Sequence, residues 1–307
     1  MRRVLSWGLG VLAVLLLGAV AWLHAPDKPR AALEASYAAA PSQFVEVLGV
    51  RLHFRDTGPR AASAVLLIHG FGSSLHTWED IAPGLAADRR VVRIDLPGFG
   101  LTGPDPTGDY TDERAHRILL ALLDRLGIAR ADVVGSSMGG RIAWSLAAAH
   151  PERVRRLVLM APDGFASLGR TYGALPRKPL MAYALPYTLP EPLLRRMLLS
   201  TYGDPARMSE AVVARTRDML LAPGVRRAII DRMGDNVLTP PEPRLRSIAA
   251  PTLLLWGELD RAIPVGHAAD YLRELRDARL VALPGIGHVP MEEAPAATLA
   301  ALRAFLD

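Results

Sequence analysis

Asp132-Val133-Val134-Gly135-Ser136-Ser137-Met138-Gly139-Gly140-Arg141-Ile142-Ala143-Trp144 is the stretch on which the fold turns. A short apolar run, the mark of a strand buried on both faces, meets a Gly-x-Ser-x-Gly turn at Gly135–Gly139, and an amphipathic helical period opens at Met138. A serine on so tight a strand-to-helix turn needs small neighbours two residues away on either side, and Gly135 and Gly139 meet that need. The helix that follows points its partially positive N-terminus back at the serine, which favours negative charge developing there. Taken alone, the pentapeptide is also an ordinary glycine-rich turn. Flanked by strand and helix, it reads as a nucleophile elbow with Ser137 as nucleophile.

Working outward, continuous apolar runs recur at Ala64–Ile68, Val91–Leu96, Val154–Met160, Thr252–Trp256 and Arg279–Leu283. A hairpin-like pair, Phe44–Leu48 and Arg51–Arg55, precedes them. Helical periods separate them at Asp112–Leu126, Met138–Ala149, Gly266–Arg276 and Pro295–Phe305. Alternation of this kind predicts an α/β fold, a mostly parallel sheet with helices on both faces. From about 163 to 236 no strand-like run occurs. Amphipathic stretches at Leu193–Tyr202 and Ser209–Leu221 replace it, and a helical cap inserted after one core strand is expected.

Three further segments carry chemistry. His69-Gly70-Phe71-Gly72 ends the strand begun at Ala64, and backbone N–H groups of Phe71 and Met138 would form an oxyanion hole; His69 itself is expected to be structural. Trp256-Gly257-Glu258-Leu259-Asp260 ends another strand, and Gly287-His288 follows the last one. The order Ser137, Asp260, His288 suits a base, His288, oriented by an acid, Asp260. Of the eight histidines only His288 lies in a loop after the final strand. Asp163, also just past a strand, is the rival acid.

The chain from about residue 43 onward resembles the α/β-hydrolase superfamily. The resemblance rests on His69–Gly72, Asp95-Leu96-Pro97-Gly98-Phe99-Gly100, Gly135–Gly140, Trp256–Asp260 and Gly287-His288. It implies a serine hydrolase working through an acyl-enzyme, with no cofactor and no metal. Joined to an apolar N-terminus, Gly-Ser-Ser-Met-Gly-Gly also looks similar to monoacylglycerol lipases and bacterial lipases of the superfamily, which implies an ester of an apolar acyl group as substrate. Carbon–carbon bond hydrolases of the same fold share the elbow but typically carry Asn where this chain has Ser136. Dehalogenases and epoxide hydrolases use an aspartate nucleophile, which Ser137 does not match. A catalytically silent, membrane-anchored binding module is the alternative of another class; a complete set of Ser137, Asp260, His288 and oxyanion loop speaks against it. Leu180-Met181-Ala182-Tyr183-Ala184-Leu185, Leu193-Leu194 and Met197-Leu198-Leu199 in the cap suit a pliable apolar pocket for the acyl chain, or simply the packing of the cap on the body.

Composition bounds the rest. Of 307 residues, 50% are hydrophobic and 22% charged, enough for a sizeable core. The net charge of +5 is spread among interspersed acids, with no dense basic run, so nucleic acid is not expected as a partner. The absence of cysteine excludes disulfides, thiolate metal sites and a cysteine nucleophile.

Residues 1–24 have a different character. Met1, Arg2 and Arg3 open an uncharged run from Val4 to Leu23, with Trp7 and Trp22 near its ends. At about 1.5 Å per residue it is long enough for a bilayer core. It reads as a transmembrane anchor, N-terminus in the cytoplasm and the following domain outside. Ala19-Val20-Ala21 keeps a cleaved signal peptide, with a secreted or periplasmic product, as the alternative. Residues 25–42, rich in Pro and Ala, read as a tether, and 43–307 as the hydrolase domain. The sequence gives no oligomeric state.

Overall fold

The structure is a computed structural model that describes Gly18, residues 23–166, 171–174, 178–235 and 237–307. Nearly all of the predicted membrane span, Val4–Leu23, therefore lies outside the described residues. Among those described, no helix is long and apolar enough to cross a membrane.

Eight strands form one sheet: β1 (Ser42–Val47), β2 (Val50–Thr57), β3 (Ala64–Ile68), β4 (Arg90–Ile94), β5 (Ala131–Ser136), β6 (Val154–Met160), β7 (Thr252–Gly257) and β8 (Ala278–Leu283). Their spatial order is β1-β2-β4-β3-β5-β6-β7-β8. β2 is antiparallel to both β1 and β4, and every pairing from β4 to β8 is parallel. Successive side chains point to opposite faces of a strand, so an unbroken apolar run must bury both. β3 does this: Leu66 and Ile68 pack on one side with Val92, Val133, Leu159, Leu254 and the helix Met138–Ala149. Val65 and Leu67 face the other side with Trp78, Val134, Val158 and Leu302 of the C-terminal helix Pro295–Leu306. The fold is the α/β-hydrolase architecture, with helices covering both faces.

Parallel strands also bring their C-terminal ends to one edge, where loops after β3, β5, β7 and β8 meet. The insertion between β6 and β7 carries the helices Glu191–Leu199, Glu210–Leu220 and Val225–Asp235. Ser209 caps the second of these by accepting a hydrogen bond from the Val212 amide.

The segment expected to be a tether is instead folded onto the body. Arg30–Tyr37 is a helix whose Leu33 is only 2% exposed. Arg30 Nη1 donates to the Leu101 carbonyl at 2.8 Å, Lys28 Nζ reaches Asp218 Oδ1 at 2.5 Å, and the Tyr37 hydroxyl donates to Asp218 Oδ2 at 3.0 Å. Asp27 accepts from Arg226 and from the Gly224 amide. Alanine and proline content suggested a linker, but one leucine and a set of charged residues with distant partners hold the segment to the cap. A chain starting at Ser42 is thus expected to be about 2 kcal/mol or more less stable than one starting at His24, since burial of Leu33 alone is worth about 1.5–3 kcal/mol. Urea unfolding of the two chains tests this; equal midpoints and slopes would return the segment to the status of a tether.

Candidate active site

Ser137 has φ 53° and ψ −118°, a conformation that L-residues avoid. The surrounding backbone holds it there: the Ser137 amide donates to Met160 O on β6, and the Ser137 carbonyl accepts from Arg141 N and Asp163 N. The three glycines of the elbow are each required by close approach. A Cβ on Gly135 would strike the Gly139 carbonyl, one on Gly139 would strike the carbonyls of Ile68 and His69, and one on Gly140 would strike Pro162. Ser137 remains partly exposed while its neighbours on both sides are buried.

The loop after β3 passes directly beside it. A Cβ on Gly70 would lie 3.3 Å from both Ser137 Cβ and the Ser136 carbonyl. His69 shapes this loop: its ring is wholly buried, Nδ1 lies 2.7 Å from the Gly70 carbonyl, and Nε2 lies 3.0 Å from the Leu96 amide. Nε2 must accept from that amide, so Nδ1 carries the proton and donates. Burial lowers the His69 pKa, in keeping with a neutral ring. Asp95 braces the same loop, its Oδ1 accepting from Leu75 N at 2.7 Å and its Oδ2 from Leu101 N at 2.8 Å. Burial raises the Asp95 pKa, but the His53 imidazole at 2.7 Å and the other nearby histidines outweigh it and hold the carboxyl well below its usual range. Phe71 is largely exposed, with its ring edge-on to Phe99, and Met138 is buried at the first turn of the elbow helix.

His288 and Asp260 are brought together: Nδ1 to Oδ2 is 2.7 Å, with both residues buried. Asp260 Oδ1 is already occupied by the amides of Ala262 and Ile263 at 2.8 and 2.9 Å, which leaves Oδ2 for the imidazole. An ionised Asp260 makes Nδ1 the protonated nitrogen of a neutral ring and leaves Nε2 as the acceptor. Asp163, the rival, makes no such contact. Its Oδ2 lies 3.4 Å from Arg141 Nε, and its amide is tied to Ser137 O.

A hydrogen-bonded Ser–His–Asp chain lies elsewhere, at Ser42, His53 and Asp95. Ser42 Oγ is 3.0 Å from His53 Nε2, and His53 Nδ1 is 2.7 Å from Asp95 Oδ2. Ser42 sits on the regular strand β1, and its oxygen also accepts from Arg55 Nε at 2.8 Å. With neither a strained turn nor a helix N-terminus behind it, that chain is a packing network.

Two residues without a role in the sequence reading organise the histidine loop. Glu293, only 4% exposed, accepts from the amides of Gly287 (2.7 Å), Gly203 (3.0 Å) and Asp204 (2.8 Å). Glu292 accepts from the Tyr202 hydroxyl, Thr77 Oγ1 and Arg215 Nη2, each at 2.8 Å. The His288 amide itself donates to Thr201 O at 2.6 Å. A short stretch of the cap, Thr201–Asp204, is therefore clamped to the loop that carries His288. The adjacent acids Glu292-Glu293 were the only available sequence signal, and an exposed helix start explains such a pair equally well. Glu293→Ala leaves three backbone amides without their acceptor, the buried Gly287 amide among them, so we expect a loss of about 1–3 kcal/mol of stability and a fall in kcat of about tenfold or more, with KM little changed. A kcat within twofold of wild type would show that the loop holds its geometry without the carboxylate.

The cap departs from expectation at the acyl pocket. Leu194 is buried, but Leu180, Met181, Tyr183, Leu193 and Met197 point outward. Among the described residues these five apolar side chains face solvent. A cavity of about 200 Å³ lies on the far flank of the elbow helix, lined by Asp112, Arg141, Trp144 and Arg244 among others, and none of Ser137, Asp260 or His288 borders it. No group of three or more metal-ligating side chains occurs among the described residues.

The fold and this edge of the sheet define an α/β hydrolase, and comparison with known proteins agrees. Residues 63–295 match the alpha/beta hydrolase fold family, and the chain belongs to it. It is 31% identical over 276 residues to a 2-hydroxy-6-oxononadienedioate/2-hydroxy-6-oxononatrienedioate hydrolase of Cupriavidus pinatubonensis, covering 84% of this chain and 93% of that protein. It is 30% identical over 247 residues to a 2-hydroxy-6-oxo-6-phenylhexa-2,4-dienoate hydrolase of Burkholderia cepacia, covering 78% and 85%. Among solved structures, a membrane phospholipase A described as a bacterial virulence factor superposes with a TM-score of 0.75 at 27% identity, covering 100% of this chain and 98% of that one.

Proposed function

We propose that this hydrolase cleaves carboxylic esters of apolar acyl groups, lipid monoesters or phospholipids among them, with Ser137 as nucleophile. The observation that carries the reading is the strained Ser137 at the head of its helix, in a molecule where Asp260 holds the His288 imidazole at Nδ1. Ser137 gives its proton to His288 Nε2 and attacks the ester carbonyl carbon. The oxyanion so formed is met by the amides of Phe71 and Met138, and His288 returns the proton to the departing alcohol oxygen. Water then repeats the sequence on the acyl-enzyme.

Two features favour an ester over a carbon–carbon bond. The likeness to the membrane phospholipase A spans the whole chain, and this sequence carries an apolar N-terminal run that suits an anchor. Carbon–carbon hydrolysis is the second reading, favoured by identities of 30% or more with two such enzymes. Anchoring by Val4–Leu23, with the catalytic domain outside the cytoplasm, is part of the proposal.

p-Nitrophenyl esters and a 2-hydroxy-6-oxodienoate, assayed side by side, separate the readings. Each added methylene that is buried contributes about 0.8 kcal/mol, so kcat/KM should rise steeply from acetyl toward octanoyl, by up to about fourfold per carbon. A flat or falling profile, or faster cleavage of the dienoate than of any ester, would replace the ester reading with the second.

A further inference from the structure

Leu180, Met181, Tyr183 and Tyr187 are 89%, 80%, 56% and 65% exposed, four large apolar side chains within eight residues. The helix Glu191–Leu199 continues the pattern. Leu193 and Met197, four apart and so on one face, point outward while Leu194 faces in. In a chain that buries its core residues so fully, a cluster of this kind marks a contact surface.

The place where the N-terminal run joins the fold says which surface. Leu23 ends the uncharged stretch, and the next residue, His24, pairs with Thr188 in an isolated antiparallel bridge. The Ala25 amide donates to the Tyr187 carbonyl at 2.9 Å. Paired strands lie about 4.8 Å apart, so the end of the 20-residue apolar run enters the molecule beside the exposed cap residues. We infer that this cap face, built from Leu180, Met181, Tyr183 and Tyr187 and extended by Leu193 and Met197, is a second membrane contact that lies in the headgroup zone next to the anchor. Tyrosine rings suit that zone, apolar in body and polar at the tip. Exposed Arg196, beside Met197, adds a cation for lipid phosphates. The inference rests on the anchor reading proposed above. It places the cap, whose Thr201–Asp204 stretch is clamped to the His288 loop, at the lipid surface.

The absence of cysteine makes a direct test available. Met181→Cys, Leu193→Cys and, as a body control, the exposed Leu272→Cys are spin-labelled singly in the full chain and reconstituted into phosphatidylethanolamine–phosphatidylglycerol vesicles. Labels at 181 and 193 should gain collisions with oxygen and lose them with a water-soluble nickel reagent, while the label at 272 stays aqueous. Flotation with the vesicles is scored on the same samples. Flotation with aqueous cap labels would overturn the docking surface and leave the anchor standing; failure to float would overturn both. Cap labels shielded from oxygen and nickel alike, with dipolar coupling between molecules, would replace the bilayer with a second copy of the chain. Met181→Glu combined with Leu193→Glu should also lower hydrolysis of vesicle-borne lipid by about tenfold and leave a soluble short-chain ester untouched. Equal loss on both substrates would also overturn the inference.

Discussion

Ser137→Ala is expected to lower kcat for ester hydrolysis by about 10⁴–10⁶, with the fold intact, and to abolish labelling by a fluorophosphonate probe. The loss is large because no neighbouring group can substitute. The turn places one side chain over the helix N-terminus, and the hydroxyl is the only atom there that can form an acyl-enzyme. Alanine should not harm the fold; φ 53° is unfavourable for serine and alanine alike, and the hydrogen bonds that hold it run through the backbone. The hydrogen-bonded chain at Ser42, His53 and Asp95 sharpens the test. If labelling persisted in the alanine variant and mapped to Ser42, the network at Ser42, His53 and Asp95 would have to be reconsidered as reactive. Activity within tenfold of wild type in a correctly folded variant would remove Ser137 from the mechanism altogether.

Asp260→Asn is expected to reduce kcat by about 10⁴, and Asp163→Asn by less than about tenfold. In the wild-type geometry Asp260 Oδ1 is held by two backbone amides, so Oδ2 has no freedom and must receive the Nδ1 proton. An asparagine keeps its carbonyl oxygen on those amides and turns its NH₂ toward His288. The imidazole then accepts at Nδ1, its proton moves to Nε2, and the ring can no longer take the serine proton. Asp163 faces Arg141 and has no such hold on the base. Circular dichroism confirms folding, and single-turnover rates separate chemistry from binding. A dead Asp163 variant beside an active Asp260 variant would move the acid to the loop after β6.

The Asp260 case shows how legible the site was. Both aspartates follow a strand, so local sequence alone left two candidates; chain order favoured Asp260, and only the packing of β7 beside β8 put one carboxylate against His288. The clamp at Glu292 and Glu293 was not legible, because its partners Thr77, Gly203 and Tyr202 lie about 90 or more residues away in the chain. The cap misled for a related reason. A run such as Leu180-Met181-Ala182-Tyr183 is equally apolar whether it faces a pocket, a core or a membrane, and composition carries no direction.

What the sequence determined by itself is whatever local sterics and periodicity dictate. The unbroken apolar runs required strands buried on two faces. Gly135 and Gly139 marked a tight strand-to-helix turn around Ser137, and alternation with helices required a mostly parallel sheet whose loops converge at one edge. Tertiary structure decided which side chains meet there and which way each apolar face turns. It drew residues 25–42 from an apparent linker into the body, because the stability of that segment comes from Leu33 in the shared core and from Asp27, Lys28 and Tyr37 reaching Arg226 and Asp218. Contacts between residues nearly 200 positions apart depend on the closed fold, and no window of sequence contains both partners.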